Sequence, residues 1–214
     1  MDLGTGDGRF ALATAAANPE RLVLGIDPVA SAMAEASRRA AQPARRGGVR
    51  NAAFVVASAE ALPAELAGTV ERLTVNLPWG SLLRGALALP DAEAAARGIA
   101  GLLAPDGEAR LLLAPAARDG LADDVDVEAR LEGSLADDWR ALGLELVQAR
   151  RATAADLAAA RTSWGRRLGL GSGRSGAGPP SGGASSGREA WLLELRATSC
   201  MARPPRGPSG DRDR

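Results

Sequence analysis

The chain has 214 residues, 46% of them hydrophobic, and its 26 basic and 26 acidic side chains give a formal net charge of zero. That length fits one domain with a sizeable core, and the balanced charge excludes an indiscriminate polyanion binder while leaving local patches open. No apolar run approaches the ~20 residues of a membrane helix, the lack of a leader before the first motif sets a cytoplasmic address as the expectation, and the single cysteine, Cys200, excludes an internal disulfide.

Short apolar runs alternate with helix-forming stretches, which predicts a mostly parallel α/β sheet. The chain opens almost directly on a glycine turn, Gly4-Thr5-Gly6-Asp7-Gly8, so the first, central strand is expected to be largely missing. A helix follows over 8–17, then a buried strand over 21–26 that ends at Asp27, then a helix over 28–41 with Pro28 in its first turn. Strands are predicted over 52–58 and 70–77. An Ala-rich helix over 91–103 is stopped by the turn Pro105-Asp106-Gly107, and a strand occupies 108–114. The acidic stretch 119–138 reads as helical in part. Strands over 142–151 and 188–196 form a terminal pair with an antiparallel edge, with a helix over 154–160 between them. Residues 171–187 are Gly/Ser/Pro-rich and expected to be a flexible loop, and 198–214 a disordered tail, which leaves one domain over 1–197.

The glycine turn carries the first chemical signal. Small residues at Gly4 and Gly6 let the backbone approach a ligand and aim N–H groups at it. Asp27, at the end of the next strand, stands where a carboxylate accepts ribose hydroxyls. Together they point to an adenosine ligand; a tight turn serving only as a helix cap is the plain structural reading. Asp2 to Gly8 resemble the first motif of class I methyltransferases, which favours S-adenosylmethionine over a dinucleotide. Ala59 and Glu60, after the third strand, are candidates for the adenine side of the site. Glu60 reads equally as a first-turn residue favoured by a helix dipole.

The second signal is Asn76-Leu77-Pro78-Trp79-Gly80 at the end of the fourth strand. Ligands of open α/β sheets bind outside the carboxyl ends of strands. A Trp between Pro and Gly is therefore expected to project there as a stacking platform for an extruded base. Trp164, followed by Gly165, Arg166 and Arg167, is the second exposed candidate, in a window (150–174) with six Arg and one acid, Asp156. Trp139 and Trp191 read as core.

These elements together ("DLGTGDGR", "GIDP", "AEALP", "NLPWGSLL" and "SWGRRL") closely resemble the 16S rRNA methyltransferases that modify N1 of the decoding-site adenine and confer aminoglycoside resistance, over residues 2–196. The resemblance implies a Rossmann-like class I methyltransferase sheet and S-adenosylmethionine as cofactor. It implies a flipped adenine between the catalytic candidates Trp79 and Trp164. Cofactor contacts are implied at Asp2, Gly4, Gly6, Asp27, Ala59, Glu60, Leu77, Ser81 and Thr162, and RNA contacts at Arg166 and Arg167, with no metal. The implied partner is 16S rRNA in the small (30S) ribosomal subunit, met by a monomer that touches no membrane.

The chain contains no His, Tyr or Lys, so the usual near-neutral acid–base groups are missing. N1 of neutral adenine carries an in-plane lone pair and no proton, so it attacks a sulfonium methyl without a base, and the composition is compatible with that reaction. Members of the family carry a segment with a β-hairpin and a full central strand before the glycine turn. The expectation here is that Met1 marks a misassigned start; a true truncation, folding poorly and binding cofactor weakly, is the alternative. Two other readings stay open: a small-molecule methyltransferase, and a non-catalytic fragment that binds cofactor or RNA.

Overall fold

The computed structural model describes residues 1–115, 121, 125–160 and 189–198. One sheet contains β1 (Asp2–Leu3), β2 (Val23–Asp27), β3 (Ala52–Val56), β4 (Val70–Asn76), β5 (Leu103–Leu113), β6 (Leu144–Arg151) and β7 (Trp191–Ala197), in the order β3-β2-β1-β4-β5-β7-β6. β3, β2, β1, β4 and β5 run parallel, and β7 is antiparallel to both β5 and β6. This is the predicted mostly parallel sheet with an antiparallel edge. Where the sequence reading expects a largely missing central strand, a short β1 stands. β1 has two residues, both buried, yet it pairs with β2 through Asp2↔Gly25 and Leu3↔Ile26 and with β4 through Asp2↔Thr74.

The helices are α1 (Arg9–Ala17), α2 (Ala30–Ala40), α3 (Gly80–Ala86), α4 (Glu93–Leu102), α5 (Val127–Glu132), α6 (Leu135–Ala141) and α7 (Ala154–Ala159). Side chains alternate across each strand. Leu111 and Leu113 of β5 therefore enter the main core with Ile99 of α4 and Trp139 of α6, while Leu112 faces a smaller cluster with Leu157 and Ala160 at the end of α7. Ala11 and Ala15 of α1 pack on Val23 of β2, with Phe54 of β3 against them. Trp139 and Trp191 are buried, as their strand and amphipathic settings predicted.

Two boundaries depart from expectation. Pro105-Asp106-Gly107 does not end an element. Register jumps from Val70↔Leu103 to Arg72↔Glu108, and Asp106 takes a left-handed φ of 61°, so the predicted turn is a bulged excursion inside β5. Helix α3, directly after Trp79, was not foreseen. The loop expected over 171–187 and the tail over 198–214 lie outside the described residues, apart from Thr198.

Candidate functional site

Strand order reverses between β1 and β4, and open α/β sheets bind ligands outside the carboxyl ends at such a switch point. The glycine turn leaves β1 there and the Asn76–Gly80 stretch leaves β4 there, so the two motifs singled out in the sequence are neighbours in space. A Cβ on Gly4 would lie 2.6 Å from Leu82 of α3, which shows how closely the two loops meet.

Gly6 and Gly8 both have left-handed φ, 54° and 70°, for different reasons. A Cβ on Gly8 would lie 2.6 Å from Ala36 and from the Phe54 ring, so Gly8 lets helix and strand pack. A Cβ on Gly6 would meet none of the described residues within 4 Å, so this part of the turn has free space beside it. Asp27 stands beside it. Its Oδ2 accepts the Gly6 N–H at 2.9 Å and its Oδ1 accepts the Val29 N–H at 2.9 Å, which fixes the carboxylate at the end of β2. Free volume at Gly6 next to a fixed carboxylate fits a ribose-bearing ligand.

Asp2 is buried beneath the turn. It accepts the Thr5 hydroxyl at 2.5 Å and the Asn76 amide at 3.4 Å, and burial pushes its carboxyl up to about 6. Glu60 and Ser81, placed in the site on separate motifs, do meet. The Ser81 hydroxyl donates to Glu60 and holds that carboxylate below its ordinary value. No helix starts at Glu60, where the chain makes a turn, so its reading as a dipole-favoured first-turn residue falls. Ala59 is a different matter. Its side chain packs in the main core and its carbonyl lies against Gly98, so it can line the site but offers no polar contact through either.

Trp79 is 69% exposed at the amino end of α3. Pro78 before it is buried, and Leu77 before that is 5% exposed with a left-handed φ of 51°. The Leu77 N–H donates to the Leu112 carbonyl at 2.7 Å, and its side chain enters the small cluster with Leu112, Ala114, Ala160 and Ala190. Leu77 is thus an anchor under the loop; its side chain faces that cluster. The Trp79 indole is thus left in solvent at the end of a constrained backbone.

Trp164, Thr162, Arg166 and Arg167 lie outside the described residues. In the same Arg-rich window, Arg150 pairs with Asp156, and Arg151 pairs with Glu128 and Glu189 while its guanidinium lies 4.8 Å over the Trp191 ring. Of the six arginines counted there, Arg150 and Arg151 are thus ion-paired, and the other four lie outside the described residues. Sequence reading missed Thr5, Asn76 and Leu82, although all three stand within or next to the quoted motifs. It also gave no role to Asp156, whose Thr153-x-x-Asp156 capping box was a readable signal. A cleft of about 460 Å³ lined by Met1, Phe10, Thr14, Arg72 and Arg110 meets the candidate set only at Asp2.

Comparison with known proteins gives one consistent result. The profile of the NpmA family, described as 16S rRNA (adenine(1408)-N(1))-methyltransferase, matches residues 1–177. An enzyme of that name from Streptoalloteichus tenebrarius is 35% identical over 173 residues, 78% of this chain and 79% of the relative. One from Escherichia coli is 39% identical over 83 residues, 39% of this chain and 38% of the relative. Among solved structures, the 16S rRNA methyltransferase KamB superposes with a TM-score of 0.75 at 30% identity, covering 92% of this chain and 86% of that one. The antibiotic-resistance methyltransferase Kmr gives 0.68 at 39% identity, covering 92% and 85%. A variant of the enzyme from Catenulisporales acidiphilia, solved with cosubstrate SAM, gives 0.72 at 29% identity, covering 97% and 87%.

Proposed function

The chain belongs to the 16S rRNA (adenine(1408)-N(1))-methyltransferase family, and from that premise we propose how its residues divide the work. The reaction moves a methyl group from S-adenosylmethionine to N1 of adenine 1408 in 16S rRNA, and the outcome is aminoglycoside resistance. The cofactor, when bound, supplies a methyl group on a sulfonium, an electrophile that needs no further activation.

Asp27 holds the ribose hydroxyls, with Gly6 leaving room for the sugar and Gly4 keeping the backbone close. Asp2, braced by Thr5 and Asn76, supplies negative charge under the turn. Glu60 and Ser81, already bonded to each other, close the adenine side, with Ala59 as an apolar wall. Thr162 completes the cofactor contacts. Trp79 stacks on one face of the extruded adenine and Trp164 on the other, while Arg166 and Arg167 hold the RNA backbone. Positioning is the main task, and positive charge that builds on the ring is met by indole faces. The substrate is presented in the small ribosomal subunit, and the enzyme works as a cytoplasmic monomer. The relatives support this reading over a small-molecule methyltransferase.

The observation that carries the proposal is the exposed Trp79, held on a strained strand end beside the glycine turn. Primer extension on 30S subunits treated with enzyme and cofactor is expected to stop at adenine 1408. Trp79→Ala is expected to lower methylation at least a hundredfold, while calorimetry finds cofactor affinity within about threefold of the parent. A parent that leaves this adenine unmodified would refute the proposal.

A further inference from the structure

Helix α7 is six residues long, too short to persist alone. At its amino end a buried carboxylate ties it to the sheet. Asp156, 7% exposed, accepts from Arg110 of β5, from Arg150 of β6 at 2.7 and 3.2 Å, and from the N–H and hydroxyl of Thr153 at 2.8 and 2.7 Å. Two strands and a helix cap therefore converge on a single side chain. The Arg150 guanidinium and the Thr153 donors hold this carboxyl well below the usual carboxylate range, so it stays ionised at any working pH.

The other end of α7 rests on the target-base loop. Leu157 and Ala160 pack in the small cluster that contains Leu77, Leu112 and Ala114. Leu77 is the left-handed residue that sends the chain into Pro78 and Trp79. A non-glycine residue in that conformation persists only where its surroundings over-determine it. Here they are the bond from the Leu77 N–H to Leu112 and the small apolar cluster its side chain joins, to which Leu157 of α7 and Ala160 at its end belong. We propose that Asp156 is a positioning residue for methyl transfer: by locking α7 to β5 and β6 it holds Leu77 in place and so sets the attitude of Trp79. The proposal rests on the role assigned to Trp79 above.

Replacing Asp156 by Asn keeps the shape but leaves Arg110 and Arg150 facing each other, with Glu194 on the intervening strand β7 as their remaining counter-charge. Replacing Arg150 by Gln removes the same lock from the other side. The measurement is the single-turnover methylation rate on 30S subunits, divided by the number of cofactor-binding sites titrated calorimetrically, so that unfolded protein does not count. In both Asp156→Asn and Arg150→Gln this rate is expected to fall at least fivefold, with the cofactor Kd within twofold of the parent. A smaller fall in either variant overturns the proposal. Loss of cofactor binding in both also overturns it, because the node would then serve the fold as a whole. A parent that gives no primer-extension stop removes the reading of the reaction itself, a result distinguishable from a normal parent with unimpaired variants.

Discussion

Asp2 is a carboxylate placed where water has little access, and its partners only partly offset that. Burial raises its pKa from the ordinary 3.8 to about 6. Between those values the folded chain holds a proton that the unfolded chain has released. Stability from this group is complete below about pH 4 and is lost as pH rises through about 6, by at most about 3 kcal/mol. In the site proposed above, ligand binding has the opposite sign, because a cationic cofactor over Asp2 would favour the ionised form. Glu60, kept below its ordinary value by the Ser81 hydroxyl, stays ionised over most of that range and adds little to the change. Cofactor affinity measured calorimetrically is therefore expected to tighten roughly tenfold from pH 5 to pH 7.5. Asp2→Asn should flatten the profile to within twofold; an equally steep profile in that variant would exclude Asp2 as the titrating group.

The turn after β1 separates two uses of glycine that the sequence presents identically. Gly8→Ala forces a Cβ onto Ala36 and Phe54 with left-handed φ, and is expected to lower stability in urea by about 3 kcal/mol. Gly6→Ala meets no atom of the described residues, so it should cost about 1 kcal/mol of stability. Its main effect should be at least tenfold weaker cofactor binding by calorimetry, since the new methyl enters the ligand's space; unchanged affinity would exclude Gly6 from the site. Most of these elements were legible because strands and helices announce themselves by period and by Pro and Gly punctuation. Trp79 was legible for the same reason, flanked by the two residues that keep a ring out of a core. Helix α3 was not, since it begins without a side-chain cap and carries glycine at Gly80 and Gly85. The bulge at Pro105-Asp106-Gly107 looked like a turn because locally it is one; only the pairing of Val70 and Arg72 with Leu103 and Glu108 reveals that the strand resumes. Asp156 was counted as a lone acid among arginines, and its partner Arg110 comes from a strand 46 residues away that no spacing discloses.

Across the whole molecule, the sheet divides at β1. On one side stand β2 and β3 with α1 and α2; on the other stand β4, β5, β7 and β6 with α3, α4 and α6, and the larger core runs across the divide from Ile26 through Leu3 to Val75 and Leu111. The proposed site draws on both, with Asp27 from the first side and Trp79 and Ser81 from the second. Strand β1 meets β4 through one register pair, Asp2↔Thr74, supported by the Thr74 N–H to the Met1 carbonyl at 2.9 Å, whereas β4 and β5 run paired from Arg72 to Asn76. In the site proposed above, a methyl donor held by Asp27 on one bank and Ser81 on the other would tie the two halves of the sheet together. Deuterium uptake at the Leu3, Gly4 and Thr74 amides should slow markedly once the methyl donor is added, while the β5–β7 ladder, already tight, barely changes.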